Sequence, residues 1–279
     1  MGTVPVTING ETRVTGLIGD PVGHTRSPAI LNAAFEAAGL NWVYVAFPAP
    51  AGRGAHAVKA ARDLRLAGLT VTMPHKTDAA WACDELTPEA MALNAVNVVT
   101  VHDDGRILGA STDGLGLVRA LADEGVDPAG RRALVLGAGG AARAITLALG
   151  NAGADVTVAA RRRDAADSAA GLVGRARSVS LADADPAAFD VVVHATPVGM
   201  RGEAPVIDPD RLNPAQLLVD TIYHPMETPL LAAARARGVP CANGLGMLVH
   251  QAALAFELWT GVDAPLAVMR AAAEQDPLA

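Results

Sequence analysis

The chain has 279 residues, a length that suggests two domains, and 51% of them are apolar, enough for a sizeable core. A net charge of −7 with no basic run beyond Arg161–Arg163 argues against nucleic acid as a partner. No uncharged apolar stretch is long enough for a membrane span, and the first residues lack the apolar core of a signal peptide. Cys83 and Cys241 stand far apart in no metal or redox spacing, which suits a reducing cytoplasm and no metal site.

Val14–Ile18 reads as a first strand ending at Gly19-Asp20-Pro21. Ala29–Ala38 follows at helical spacing, with Ser27 as the expected N-cap and Pro28 at the first helical position. Asn41–Phe47 is a second strand, Ala55–Leu66 an amphipathic helix, and Gly68–Thr72 a third strand that stops at Met73-Pro74. Thr77–Cys83 and Glu89–Leu93 are helical, and Val96–Val101 pairs with Gly105–Leu108 in a hairpin across Asp103-Asp104-Gly105. At Ser111-Thr112-Asp113-Gly114 a new helix begins, capped by Ser111 or Thr112 and ending near Gly125. From Ala133 the chain alternates strands with helices: Asp155–Ala159, Ser178–Leu181, Asp190–His194, Leu217–Thr221 and Val239–Ala242 are the expected strands. That alternation predicts a doubly wound parallel sheet. Leu248–Thr260 and Pro265–Glu274 are closing helices with no strand after them, expected to return to the first domain. The expected division is therefore 1–112, 113–247 and 248–279, the last completing the first.

The segment Arg131–Leu149 carries the most informative local pattern. A short apolar run, Ala133–Leu136, leads at once into Gly137-Ala138-Gly139-Gly140-Ala141 and then into apolar residues at helical spacing. Strand, glycine turn and helix are the setting of a dinucleotide-binding fingerprint, in which free N–H groups at the helix start face a pyrophosphate. The pattern Gly-x-Gly-Gly-x-Ala departs from Gly-x-Gly-x-x-Gly, so a plain tight turn is the competing reading. The second strand then runs into Ala160-Arg161-Arg162-Arg163, with no acid before Asp164. An acid there would accept the ribose hydroxyls of NAD, whereas arginine suits the 2′-phosphate of NADP. NADP is the expected cofactor, in preference to NAD.

Thr70-Val71-Thr72-Met73-Pro74-His75-Lys76 places polar groups at the carboxyl end of a strand, where open sheets bind ligands. Taken singly, Lys76 reads more readily as a surface lysine and Asp113 as a helix cap or first-turn acid, and Asn97 fits a strand polar residue.

Seven motifs in order, taken together, resemble the shikimate dehydrogenase family over nearly the whole chain. They are His24-Thr25-Arg26-Ser27-Pro28, Thr72-Met73-Pro74-His75-Lys76, Asn94-Ala95-Val96-Asn97, Ser111-Thr112-Asp113-Gly114, Gly137-Ala138-Gly139-Gly140-Ala141, Ala195-Thr196-Pro197-Val198-Gly199-Met200 and Gly244–Gln251. The resemblance implies NADP-linked reduction of 3-dehydroshikimate to shikimate on the way to chorismate and the aromatic amino acids. It implies an N-terminal α/β substrate domain with a mixed sheet, completed by C-terminal helices, around a Rossmann domain, in a cytoplasmic monomer or homodimer. By position, Lys76 and Asp113 match the catalytic pair, and Thr25 and Ser27 the hydroxyls that hold the substrate carboxylate. Thr72, Asn97, Tyr223 and Gln251 match further substrate contacts. Gly137–Ala141, Arg161, Arg162 and Thr196 match the dinucleotide-binding segments, and Thr221 and Gly244 the positions near the nicotinamide. Three residues leave the family pattern: Thr25 stands for a usual serine, Thr70 for a usual asparagine, and Ala160-Arg161-Arg162 for Asn-Arg-Thr. Quinate/shikimate and aminoshikimate dehydrogenases are the alternative readings, and a non-catalytic ligand-binding relative is a third.

Overall fold

The structure is a computed structural model that describes residues 8–23 and 25–275. It divides into two compact units: Met1–Thr112 with Leu248–Ala279, and Asp113–Met247.

The first unit begins β1 (Arg13–Gly19), α1 (Ser27–Ala37), β2 (Trp42–Pro48), α2 (Gly54–Asp63), β3 (Gly68–Val71), α3 (Lys76–Ala80), β4 (Glu85–Leu86), α4 (Pro88–Leu93), β5 (Val98–Val101) and β6 (Ile107–Ala110). Its six-stranded sheet has the order β2-β1-β3-β5-β6-β4. Helical crossovers keep β1, β2 and β3 parallel, while the β5–β6 hairpin reverses direction and makes the sheet mixed. That reversal sets β5 antiparallel to β3, so the start of β5 lies beside the carboxyl end of β3.

Local chemistry moves several boundaries from their expected places. Ser27 is not the N-cap of α1: the helix starts on it, Arg26 holds the cap position, and no side chain caps there. α2 stops at Asp63, short of the periodic Leu64 and Leu66, because Arg65 turns left-handed (φ 55°) and Leu66 N–H bonds back to Ala61 O at 2.8 Å. Gly105 belongs to the hairpin turn at φ 85°, which delays β6 to Ile107. β4 has two residues, too few to carry a periodic pattern.

The second unit runs α5 (Asp113–Asp123), β7 (Arg132–Leu136), α6 (Gly140–Asn151), β8 (Asp155–Ala160), α7 (Arg163–Ala170), β9 (Arg177–Ser180), β10 (Val191–His194), β11 (Leu217–Asp220), α8 (Pro229–Ala236) and β12 (Cys241–Ala242). Its sheet is parallel throughout, in the order β12-β11-β10-β7-β8-β9. Counted within this unit the order is 6-5-4-1-2-3, the doubly wound Rossmann arrangement, with its switch point between β7 and β10. Both faces are covered, and alternation divides the strands between two cores. Ala133, Val135, Val191 and Val193 enter one, whereas Leu134, Leu136 and Val192 enter the other. α5 lies close on α6 because residue 114 is glycine: a Cβ there would sit 2.2 Å from Ala144 O.

α9 (Leu245–Thr260) carries the chain back, and α10 (Leu266–Glu274) closes the first unit. Trp259 Nε1–H donates to Val99 O at 3.0 Å, and Phe35 lies between Trp42 and Phe256 at ring separations of 5.4 and 5.5 Å. Buried Arg26 donates from Nη1 to Ala273 O at 2.6 Å, placing a cation on the last turn of α10. No helix among the described residues is long and apolar enough to cross a membrane.

Candidate active site

Polar side chains of the first unit collect where β1 and β3 end and β5 begins. The loop after β1 delivers Thr25 and Ser27, and β3 runs out into Thr72 and then the start of α3, where Lys76 is the first residue. Thr25 and Ser27 hydroxyls lie 3.2 Å apart, and Thr25 Oγ1 also accepts the Ser27 N–H at 3.2 Å. Two hydroxyls fixed side by side make a docking point for one carboxylate. Buried Tyr44 hydrogen-bonds through its hydroxyl to Thr70. Burial pushes that phenol well above its ordinary range, against the pull of hydrogen bonding.

Asn97 stands just ahead of β5. Its main chain takes the Val71 N–H at 2.8 Å, which ties it to the end of β3. Its amide donates to Thr112 Oγ1 at 2.9 Å and Gln251 Oε1 at 3.3 Å, and its carbonyl accepts the Thr112 N–H at 2.7 Å. Gln251 is held in turn on α9, where its own amide donates to Leu248 O at 3.1 Å. Asn97, Thr112 and Gln251 therefore form a preset group of donors and acceptors.

In the second unit a cavity of about 640 Å3 opens at the carboxyl end of the parallel sheet, lined by Gly137–Gly139, Ala160–Arg162 and Ala195–Val198 among others. Gly137 is at φ 124°, and a Cβ on it would stand 2.6 Å from Ala195 O, so only glycine makes this turn without strain. Gly139 and Gly140 meet nothing within 4 Å where a Cβ would go, which leaves room for a ligand at the start of α6. The open backbone there and the helix dipole suit a pyrophosphate. Of the three arginines after β8, Arg162 and Arg163 pair with Asp164 and Asp167 at 3.7 and 2.9 Å, while Arg161 and Arg162 line the cavity. These residues fit a phosphorylated dinucleotide. Thr221 and Gly244 also meet in this unit: a Cβ on Gly244 would lie 2.0 Å from Thr221 O.

Two family models match the chain, the shikimate dehydrogenase substrate binding domain over residues 17–99 and the shikimate 5′-dehydrogenase C-terminal domain over 244–274. A shikimate dehydrogenase (NADP(+)) from Methanopyrus kandleri is 45% identical over 97% of this chain and 98% of its own. The chain belongs to the shikimate dehydrogenase family. A crystal structure of shikimate dehydrogenase in complex with NADP+ superposes with a TM-score of 0.92 at 35% identity, covering 98% of both chains. The Thermus thermophilus enzyme in complex with NADP(H) and shikimate gives 0.87 at 36% identity, over 94% of this chain and 98% of its own.

Within this family frame, the substrate-side residues expected from the motifs occupy two units. Thr25, Ser27, Thr72, Lys76, Asn97 and Gln251 belong to the first, and Asp113, the opening residue of α5, and Tyr223 belong to the second. The dinucleotide set, Gly137 to Ala141, Arg161, Arg162, Thr196, Thr221 and Gly244, lies wholly in the second. His24 of the first motif lies outside the described residues. Four participants escaped the sequence reading: Tyr44, Thr112 as a side-chain partner, and the buried pair His194 and Asp220. Tyr44 sits inside an apolar strand pattern, and no spacing marks a hydroxyl that will meet Thr70.

Proposed function

We propose that the chain is an NADP-dependent shikimate dehydrogenase, reducing the ketone of 3-dehydroshikimate to the alcohol of shikimate in the route to chorismate. The observation that carries this reading is the first unit's polar group, in which paired hydroxyls, a carboxamide set and a lysine come from the ends of β1 and β3 and the start of β5. Thr25 and Ser27 hold the substrate carboxylate; Thr72, Asn97, Gln251 and Tyr223 contact the ring hydroxyls or carboxylate. The bound dinucleotide supplies a hydride to the carbonyl carbon. Lys76 supplies the proton: its ammonium N–H donates to the carbonyl oxygen and passes over a proton as that oxygen gains charge. Asp113 is the acidic partner of Lys76 in that transfer. Arg161 binds the 2′-phosphate, and the start of α6 the pyrophosphate. Two free cysteines suit a cytoplasmic enzyme.

The test is a set of initial rates with shikimate and quinate, each with NADP+ and NAD+. Shikimate with NADP+ should be fastest. Binding of shikimate without reduction of either dinucleotide would instead mark a ligand-binding relative. Thr25 favours one further reading, a preference among cyclohexene acids shifted from the family's usual one, and the same rates decide it.

A further inference from the structure

A buried polar chain at the carboxyl ends of β10 and β11 has no part in the proton chemistry above. His194 and Asp220 are register partners across this parallel pair, with 1% and 0% exposure. His194 Nδ1 is 3.0 Å from Asp220 Oδ1, and Nε2 is 2.6 Å from Thr196 Oγ1. Asp220 Oδ1 also accepts the Ile222 N–H at 3.1 Å, and Oδ2 accepts the Thr228 hydroxyl at 2.7 Å. Thr228 is anchored in turn as the N-cap of α8. An ionised carboxylate can only accept, so the imidazole must offer it Nδ1–H. In the Nδ1–H tautomer Nε2 is bare, and the Thr196 hydroxyl gives its hydrogen to that nitrogen. Thr196 Oγ1 meanwhile accepts the Val198 N–H at 3.2 Å. Thr196 lines the cavity, and its oxygen is left with a lone pair and no hydrogen to donate.

We propose that His194, held by Asp220, is a positioning residue that makes Thr196 an acceptor-only group in the dinucleotide cavity. Thr196 then takes a neutral N–H or O–H of the cofactor, a carboxamide or ribose hydroxyl, and disfavours a phosphate oxygen. Phosphates are left to the start of α6 and to Arg161. From β7 the register neighbour of His194 is the apolar Leu136, and from β11 it is Asp220.

The inference rests on the cavity being the dinucleotide site, and its test separates the two. Long-range proton–nitrogen spectra of protein labelled with 15N-histidine, with His194→Asn to assign the signal, should show hydrogen on Nδ1 and none on Nε2. A hydrogen on Nε2 at neutral pH overturns the proposal. Calorimetric Kd values for NADP+ give the second readout. Thr196→Ser should stay within about twofold of wild type, and Thr196→Val should weaken binding by about 2- to 12-fold, the range of one neutral hydrogen bond. His194→Asn should weaken it similarly, and the double variant no further. Multiplying effects, or a lower Tm for His194→Asn with an unchanged Kd, overturn the proposal. Weakening by Arg161→Ala with none by Thr196→Val refutes this inference alone; no change from either variant refutes the cavity as the dinucleotide site.

Discussion

Thr25 brings one methyl more to the proposed carboxylate pocket than the family's usual serine would. Its hydroxyl is still in place beside Ser27, so carboxylate binding survives, but the branched side chain is stiff and fills space. Quinate carries an extra hydroxyl on the carbon that bears the carboxylate, next to that methyl. Thr25→Ser should therefore raise the quinate-to-shikimate ratio of kcat/KM by about 5- to 150-fold, the worth of one methyl in a pocket. An unchanged ratio in steady-state rates removes Thr25 as the determinant. Arg161 lines the cavity of the second unit, and in the proposed reading a charge-assisted contact with the 2′-phosphate contributes about 1.5–3 kcal/mol. Arg161→Ala should weaken NADP+ by about tenfold or more and spare NAD+; equal losses in a binding titration would place the phosphate elsewhere. Lys76→Ala should lower kcat by about 10²–10⁴-fold with a smaller change in KM. Combined with Asp113→Asn it should be much less impaired than the product of the single variants, because two groups serving one proton fail together. Clean multiplication of the two effects would separate their roles.

Between residue and fold, the decisive contacts are those that let one element approach another. Trp259 of α9 lies over Gly68 of β3, where a Cβ would be 2.2 Å from its Nε1, and its indole N–H bonds to Val99 of β5. Gly68→Ala should push the indole off that carbonyl and cost about 1–3 kcal/mol, the usual penalty of overpacking. Urea unfolding measures it, and a midpoint equal to wild type would show that α9 yields without cost. This contact also shows where sequence reading stops. Ala133–Leu136 announced a two-face-buried strand, and the glycines after it a turn to a helix start, because both patterns are local. Gly68 gave no such sign, since its reason is a tryptophan 191 positions later. The site divides the same way. Lys76, Asp113 and Asn97 were single polar residues with ordinary explanations until the ordered motifs joined them. His194 read as the end of an apolar strand, and only the parallel register with β11 sets Asp220 beside it.

For the molecule as a whole, groups that favour the folded state in opposite ways bracket the stable pH range. Burial pushes the Cys83 thiol up to about 12, with the charge of Asp84 adding to it, and burial raises the Tyr44 phenol too. Folded protein keeps these protons after the unfolded chain has lost them, so stability falls as pH climbs above the ordinary thiol value of 9.0. Asp190 shows the reverse sign: hydrogen bonds from the Arg132 side chain and backbone hold it below its ordinary 3.8, so its contribution is present above that value and lost as pH falls through the lowered one. Urea midpoints should drop at both extremes, and Cys83→Ala should flatten the alkaline decline; an unaltered decline would assign it to other groups. A different consequence follows from the route of the chain. Residues 113–247 form one unit nested inside the other, which recovers its last segment only at Leu248. During synthesis on the ribosome residues 113–247 are therefore complete first, while the unit that was begun earlier still lacks α9 and α10. The expected consequence is that the unit begun first finishes folding last and is open to chaperones and proteases in the interval.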